Sequence, residues 1–303
     1  MISHAEVRER LTGPVASLNT PFNQDGSIDY DGLRSLIDAD IAGGSNAMLL
    51  TYGDSLFTLL TDDEIAEVTR VVVEHASDRA LKVAADGTWW TGKTVEFAKY
   101  ARDIGADVLM VKPPVWAGGC TVDTFVEHYA AVAAVMPVML VTNVFAGNTN
   151  VGLQVFERLR DRVDNIVAVK DDLRGDFARK MTALVGDKWA VFSGGGKASH
   201  IELAPYGALG YMSNFVALRP SVTAKYWSAT QRGDWHAAVQ IASEYDWPYM
   251  DYISGLPGGF DSGIHGALEL LGIAGRWRRP PYHSLTDEEM EHLRAFFVSR
   301  GWL

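Results

Sequence analysis

"NIVAVKDD" (residues 165–172) carries the reading of this chain. Ile166 to Val169 is an apolar, largely β-branched run, the kind that forms a strand buried on both faces. It stops on Lys170, with Asp171 and Asp172 directly behind. Helical patterns flank it, "GLQVFERLRD" (152–161) before and "FARKMTALVG" (177–186) after. A strand enclosed by helices is one βα unit, and the fold follows from how often that unit recurs. A charged ammonium beside a core costs free energy unless it is paired, wet or neutral. Lys170 therefore either ends its strand in solvent or works as a nucleophile.

Outward from that stretch, strand patterns fall at 14–20, 47–52, 81–86, 108–112, 137–143, 166–172, 189–194 and 208–214. Helical patterns alternate with them at 29–44, 61–76, 94–106, 121–135, 152–161, 177–186, 197–207 and 220–234. Thr61 and Glu64 form a capping box at the second of these helices. Alternation at this spacing means parallel strands with right-handed crossovers. Eight units predict an α/β fold, a (β/α)8 TIM barrel, over residues 1–234. Residues 235–303 read as a C-terminal helical extension packed on the barrel, with a Pro-rich link at 275–285. The alternative, a doubly wound open sheet, would usually hold fewer strands and a topological switch point.

The 303 residues carry a net charge of −11, which argues against nucleic acid or anionic membrane as a partner. One cysteine, Cys120, leaves no internal disulfide and no thiolate metal cluster. The histidines lack metal-ligand spacing, and no window nears 18 continuous apolar residues, so neither a metal site nor a membrane span is expected. "MISHAEVRER" (1–10) is polar and charged, unlike a signal peptide. These features predict a cytoplasmic enzyme.

In a barrel the chemistry sits at the C-terminal ends of the strands. That places Thr20, Tyr52 to Asp54, Asp86, Lys112, Thr142, Lys170, Ser193 and Met212 to Asn214 at the mouth. Two glycine-rich stretches lie there as well. "GTWWTGKT" (87–94) fits the phosphate-binding G-x-x-x-x-G-K-T pattern between a strand and a helix. Two tryptophans in the loop, and no later strand ending cleanly in a Mg2+-holding aspartate, count against nucleotide binding. "SGGGKAS" (193–199) opens a helix, where backbone N–H groups suit a carboxylate or phosphate.

Taken together, these residues resemble the dihydrodipicolinate synthase / N-acetylneuraminate lyase family of class I aldolases. "TPFNQDGSIDYDGLRSLID" (20–38) is similar to that family's opening. "GDFARK" after "VKDD", "SGGG" after the seventh strand, "GALGYMSN" (207–214) and the closing "RPPYHSLTDEEMEHLRAFF" follow in the family's order. The likeness spans about residues 12–303. It implies that Lys170 forms a Schiff base with the carbonyl of pyruvate or another 2-keto acid. Burial of its stem at a dry mouth favours the neutral amine that attacks the carbonyl. The iminium then serves as electron sink for C–C bond cleavage or formation, or for loss of water. No metal or organic cofactor is implied; a homotetramer or homodimer is.

The departures from the family pattern are specific. An ungapped match puts Tyr52-Gly53-Asp54-Ser55-Leu56 where the family has Gly-Thr-Thr-Gly-Glu, so Gly53 and Asp54 replace the two threonines that hold the carboxylate and relay protons. The family tyrosine after strand five is Thr142, followed by Asn143, and the basic residue five positions on is Gly147. Trp116 stands roughly where an aromatic was. These losses argue against dihydrodipicolinate synthase itself. Catalytic candidates are Lys170, Asp54, Tyr52 and Thr142; substrate-binding candidates are Gly53, Ser55, Asn143, Trp116, Gly194, Met212 and Ser213. The expected activity is a Schiff-base lyase, an aldolase or dehydratase, on a 2-keto acid or related carbonyl compound. The alternative is an altered family member that binds a metabolite without aldol chemistry.

Overall fold

The structure, a computed structural model, describes residues 2–303. Strands β1 (Gly13–Ser17), β2 (Ala47–Leu49), β3 (Leu81–Ala85), β4 (Val108–Val111), β5 (Val138–Val141), β6 (Ile166–Asp171), β7 (Ala190–Ser193) and β8 (Gly210–Met212) pair in parallel and in chain order. β8 returns to β1 and closes the barrel, so the open-sheet alternative is excluded. The strands are buried on both faces, which is why they read as unbroken apolar runs. Closure is tight at the β8–β1 seam. A Cβ on Gly210 would stand 2.3 Å from the Leu11 carbonyl oxygen and 2.5 Å from that of Gly13, so only glycine fits.

α1 (His4–Arg10) precedes the barrel and is not anticipated by the sequence reading, because seven residues are too few for a clear periodicity. It lies at the ends of the strands away from the mouth, where Arg8 donates to the carbonyls of Gly186 (2.8 Å) and Trp189 (2.7 Å). The crossover helices are α2 (Tyr30–Ala42), α3 (Asp62–Ala76), α4 (Thr91–Asp103), α5 (Val122–Ala133), α6 (Thr149–Arg162), α7 (Gly175–Val185) and α8 (Gly196–Leu203). After β8 come α9 (Phe215–Leu218) and α10 (Pro220–Gln231). α4 begins at Thr91 rather than at 94, so Gly92 lies in its first turn instead of in a loop. β1 and β2 end earlier than the apolar runs suggest. The Leu50 N–H still reaches the Val83 carbonyl at 3.0 Å, and beyond it the Thr51 N–H turns to Ser55 Oγ at 2.9 Å.

The remaining chain forms α11 (Trp235–Ile241), a π-helical turn at Ala242–Asp246, α12 (Trp247–Ser254), α13 (Gly259–Leu270) and α14 (Asp287–Ser299). Tyr249, Ile253, Ile264, Leu293 and Phe297 join the same continuous apolar cluster as the strand residues. Arg279 also ties this region to the barrel. It makes a bidentate pair with Glu64 of α3 (2.8 Å for both contacts) and donates to the carbonyls of Gly26 and Leu59. Among the described residues no helix is long and apolar enough to cross a membrane.

Candidate active site

The mouth of the barrel opens into a cavity of about 530 Å³. β6 is the longest strand, and it delivers Lys170 to the cavity wall. The pairing register with β5 shifts between Val138 and Met139, opposite Ile166 and Ala168, so that Lys170 pairs with Val141. Such a shift re-aims the side chains beyond it. The Lys170 side chain is 9% exposed, and its Nζ donates to Asp172 Oδ1 at 2.5 Å. The buried ammonium is thus paired as soon as it leaves the strand.

The turn that follows is built on Asp171, which is fully buried. Its Oδ1 accepts from the Thr142 hydroxyl (2.9 Å) and the Leu173 N–H (3.4 Å), and its Oδ2 from the Arg174 N–H (3.1 Å). Thr142 accepts from the Asp172 N–H at 2.8 Å. Burial pushes the Asp171 carboxyl up, against the opposing pull of these donors. The network fixes Arg174 at φ 61°, ψ −174°, a region populated almost only by glycine and costing of order 1–3 kcal/mol. Its guanidinium faces the cavity and has no hydrogen bond or ion pair among the described residues.

The glycine run explains itself at this point. A Cβ on Gly194 would stand 2.0 Å from Asp172 Oδ1 and 2.9 Å from Lys170 Nζ. A Cβ on Gly195 would stand 2.6 Å from Arg174 Nε and 2.8 Å from its Nη2. The glycines leave room for the charged side chains of the β6–α7 turn.

The next lysine, Lys197, is a second buried cation. Its side chain is 0% exposed, and Nζ donates to Asp246 Oδ1 (2.8 Å) and Ser213 Oγ (3.2 Å), with the Phe215 ring centroid at 4.7 Å. Burial pulls the Lys197 ammonium down and pushes the Asp246 carboxyl up, each opposed by the other's charge. Asp246 closes the π-helical turn, a feature that often marks functional sites. Trp247, Tyr249, Met250 and Phe260 complete that wall.

Of the residues expected from sequence, Lys170, Tyr52, Gly53, Asp54, Asn143, Gly194, Met212 and Ser213 line the cavity. Three do not. Thr142 is fully buried and holds the Asp171 turn, so its hydroxyl is committed to structure. Ser55 is fully buried too, donating to the Leu18 carbonyl (2.6 Å) and accepting from the Thr51 N–H. Trp116 is 89% exposed, out on the loop after β4. Tyr52 reaches the cavity with its ring, but its hydroxyl donates to the buried Asp86 at 2.9 Å. Burial and the Asp86 charge raise this phenol well above its ordinary range, making it a poorer acid than free tyrosine. Asp172, Arg174, Lys197 and Asp246 were not singled out. For Asp172 and Arg174 the signal was adjacency to Lys170; for Lys197 it was a lysine after three glycines. Nothing local marks Asp246, which arrives only by tertiary packing.

The phosphate-loop pattern at 87–94 is filled rather than open. A Cβ on Gly87 would lie 2.2 Å from the Trp89 ring and one on Gly92 2.0 Å from Trp90. Lys93 pairs with Asp62 of α3 and sits over Trp89, 4.5 Å from its centroid. That lysine is turned to the barrel's outside. Among the described residues no three His, Cys, Asp or Glu side chains are grouped to hold a metal ion.

A closed βα barrel with a paired, buried lysine at the C-terminal end of its sixth strand defines a class of barrel proteins with an amine at the mouth. The chain belongs to the Dihydrodipicolinate synthetase family, whose family model matches residues 10–299. It is 31% identical to 4-hydroxy-tetrahydrodipicolinate synthase of Psychrobacter arcticus over 245 residues, 79% of each protein. Among solved structures, N-acetylneuraminate lyase from Fusobacterium nucleatum superposes with a TM-score of 0.84 at 19% identity, covering 95% of this chain and 98% of that one. Dihydrodipicolinate synthase from Oceanobacillus iheyensis gives 0.83 at 20%, covering 99% and 100%. Family members are lyases of the class I aldolase type.

Proposed function

We propose that this protein is a Schiff-base-forming lyase, an aldolase or dehydratase, acting on a 2-keto acid or related carbonyl compound through Lys170. The observation that carries the reading is the Lys170–Asp172 contact of 2.5 Å at the wall of a cavity large enough for a small metabolite. Asp172 takes a proton from the Lys170 ammonium. The amine nitrogen then bonds to the carbonyl carbon as the C=O π pair moves to oxygen, and a proton shed by that nitrogen converts the oxygen to a hydroxyl. Asp172 returns a proton to that hydroxyl, which leaves as water and gives the iminium. For a hydroxyl two carbons from the iminium carbon, Asp54 accepts the hydroxyl proton. The C–C bond breaks, its electron pair flows to the iminium, the carbinol carbon departs as an aldehyde or ketone, and an enamine remains, to which Asp54 can return its proton. Protonation and hydrolysis of that enamine free Lys170. Asp54 suits the step because its carboxylate lines the cavity with no partner among the described residues. Gly53, Asn143, Gly194, Met212 and Ser213 shape the substrate's surroundings.

A second reading has its own support. Neither Tyr52 nor Thr142 offers a free hydroxyl, so a family member that binds a metabolite without aldol chemistry fits as well. Borohydride trapping separates the two. The protein is incubated with pyruvate and longer 2-keto acids, reduced, digested and mapped by mass. An adduct on Lys170, absent from Lys170→Ala and slowed about a hundredfold in Asp172→Asn, is the expected result. No adduct from any member of the panel makes the binding reading the better one. The homodimer or homotetramer implied by the family likeness belongs to the same reading and is tested by sedimentation velocity.

A further inference from the structure

Six charged side chains line the cavity, and four are paired: Lys170 with Asp172, Lys197 with Asp246. Arg174 and Asp54 are left without a partner among the described residues. An unpaired guanidinium at a cavity mouth, with five donors in a fixed fork, matches a carboxylate bidentately. The chain also maintains Arg174 where glycine would be easier. Its backbone sits at φ 61°, ψ −174°, with the buried Asp171 holding its N–H, and Gly195 is bare beneath its guanidinium. Strain of this kind persists where the surroundings over-determine it, and it clusters at ligand clamps.

The spacing is right for one small molecule. Gly194 abuts Lys170 Nζ and Gly195 abuts the Arg174 fork. Adjacent residues have Cα atoms about 3.8 Å apart and Cβ positions at most about 7 Å apart, so amine and guanidinium are separated by roughly 12 Å at most. Both groups therefore face one cavity from neighbouring positions on the same wall.

We propose that Arg174 is the anion clamp of this site, binding a carboxylate of the substrate while Lys170 engages its carbonyl. The clamp rests on the Schiff-base reading for the carbonyl half only. It assigns the substrate class as acidic carbonyl compounds and gives the acid a cation from the β6–α7 turn, in place of the basic position occupied by Gly147.

Arg174→Gly is the informative variant. It removes the guanidinium and relaxes the backbone, so the fold is not at risk. Borohydride capture of pyruvate and of the neutral ketone hydroxyacetone is compared in the full chain, alongside the melting temperature. Capture of pyruvate falling tenfold or more, hydroxyacetone changing less than twofold, and a melting temperature equal to or above the parent's is the expected result. Parallel changes for both compounds, or none for either, overturn the clamp. If Lys170 captures nothing, the Schiff-base reading fails by itself, and glutarate at 10 mM (about that concentration) becomes the probe. Glutarate raising the melting temperature of the parent but not of Arg174→Gly still supports the clamp, and equal behaviour of the two proteins overturns it.

Discussion

Asp86, just beyond β3, lies fully buried beneath Tyr52 and accepts from Tyr52, Thr94 and the N–H groups of Thr88 and Lys112. Burial nonetheless outweighs these donors and pushes its carboxyl up to about 6. The folded protein therefore holds this proton at pH values where the unfolded chain, near 4, has lost it. Stability falls as pH rises from about 4 to 6 and is flat beyond, a loss on the order of 3 kcal/mol from this one group. Asp86→Asn keeps a carbonyl oxygen for three of the donors and cannot ionise. Urea midpoints measured from pH 4 to 7 should show the variant gaining on the parent across that window; identical slopes would refute the assignment. At this scale the sequence was legible for Lys170, because a strand ending in a charge is visible in one dimension. It misled for Thr142, Ser55 and Trp116. Proximity to the mouth along the chain does not say whether a side chain faces the cavity, the barrel wall or bulk water, and that is fixed by partners distant in sequence.

Between elements, the contact to test is the one from Arg279 to α3. Glu64 serves twice, closing the capping box on the Thr61 N–H and taking the Arg279 fork, and these contacts hold its carboxyl down at about 2. A depressed carboxyl contributes stability that is present above its unfolded value near 4.5 and lost as pH falls through 4.5 toward 2. Arg279→Ala should therefore cost about 1–3 kcal/mol at pH 7, and clearly less at pH 3. Arg279→Lys should restore only part, since an ammonium cannot make the planar bidentate contact. A loss unchanged between the two pH values would show that packing of the arginine stem, not the ion pair, carries the effect. Eight strand–helix units were readable because each combines a buried apolar run with an amphipathic helix. Their ends were less so: α4 starts at Thr91, with Gly87 against the Trp89 ring and Gly92 against that of Trp90, a glycine pattern that reads as a loop in one dimension.

Across the whole molecule, the helices after residue 234 build part of the site. They supply Asp246, Trp247, Tyr249, Met250 and Phe260 to the cavity, while the barrel supplies Lys170, Asp54 and Arg174. Nothing in the sequence tied residue 246 to residue 197, because that contact exists only once a π-helical turn packs over the mouth. The Lys197–Asp246 pair is the joint. With the lysine side chain at 0% exposure, its charge has no water to fall back on. Removing one partner of a buried pair strands the other charge, at a cost of about 3–5 kcal/mol, whereas replacing both by apolar groups of similar size is often near neutral. Asp246→Asn should thus be markedly destabilising, and Lys197→Met combined with Asp246→Leu much less so. Because the cavity wall moves with the joint, Asp246→Asn should also weaken keto-acid capture at Lys170, although Asp246 lies on a helix outside the barrel proper. Equilibrium urea unfolding of Lys197→Met, Asp246→Leu and the double variant gives the coupling directly. Additive losses would mean that the pair is incidental and that the C-terminal helices are held to the barrel by their apolar faces and the Arg279–Glu64 contact instead.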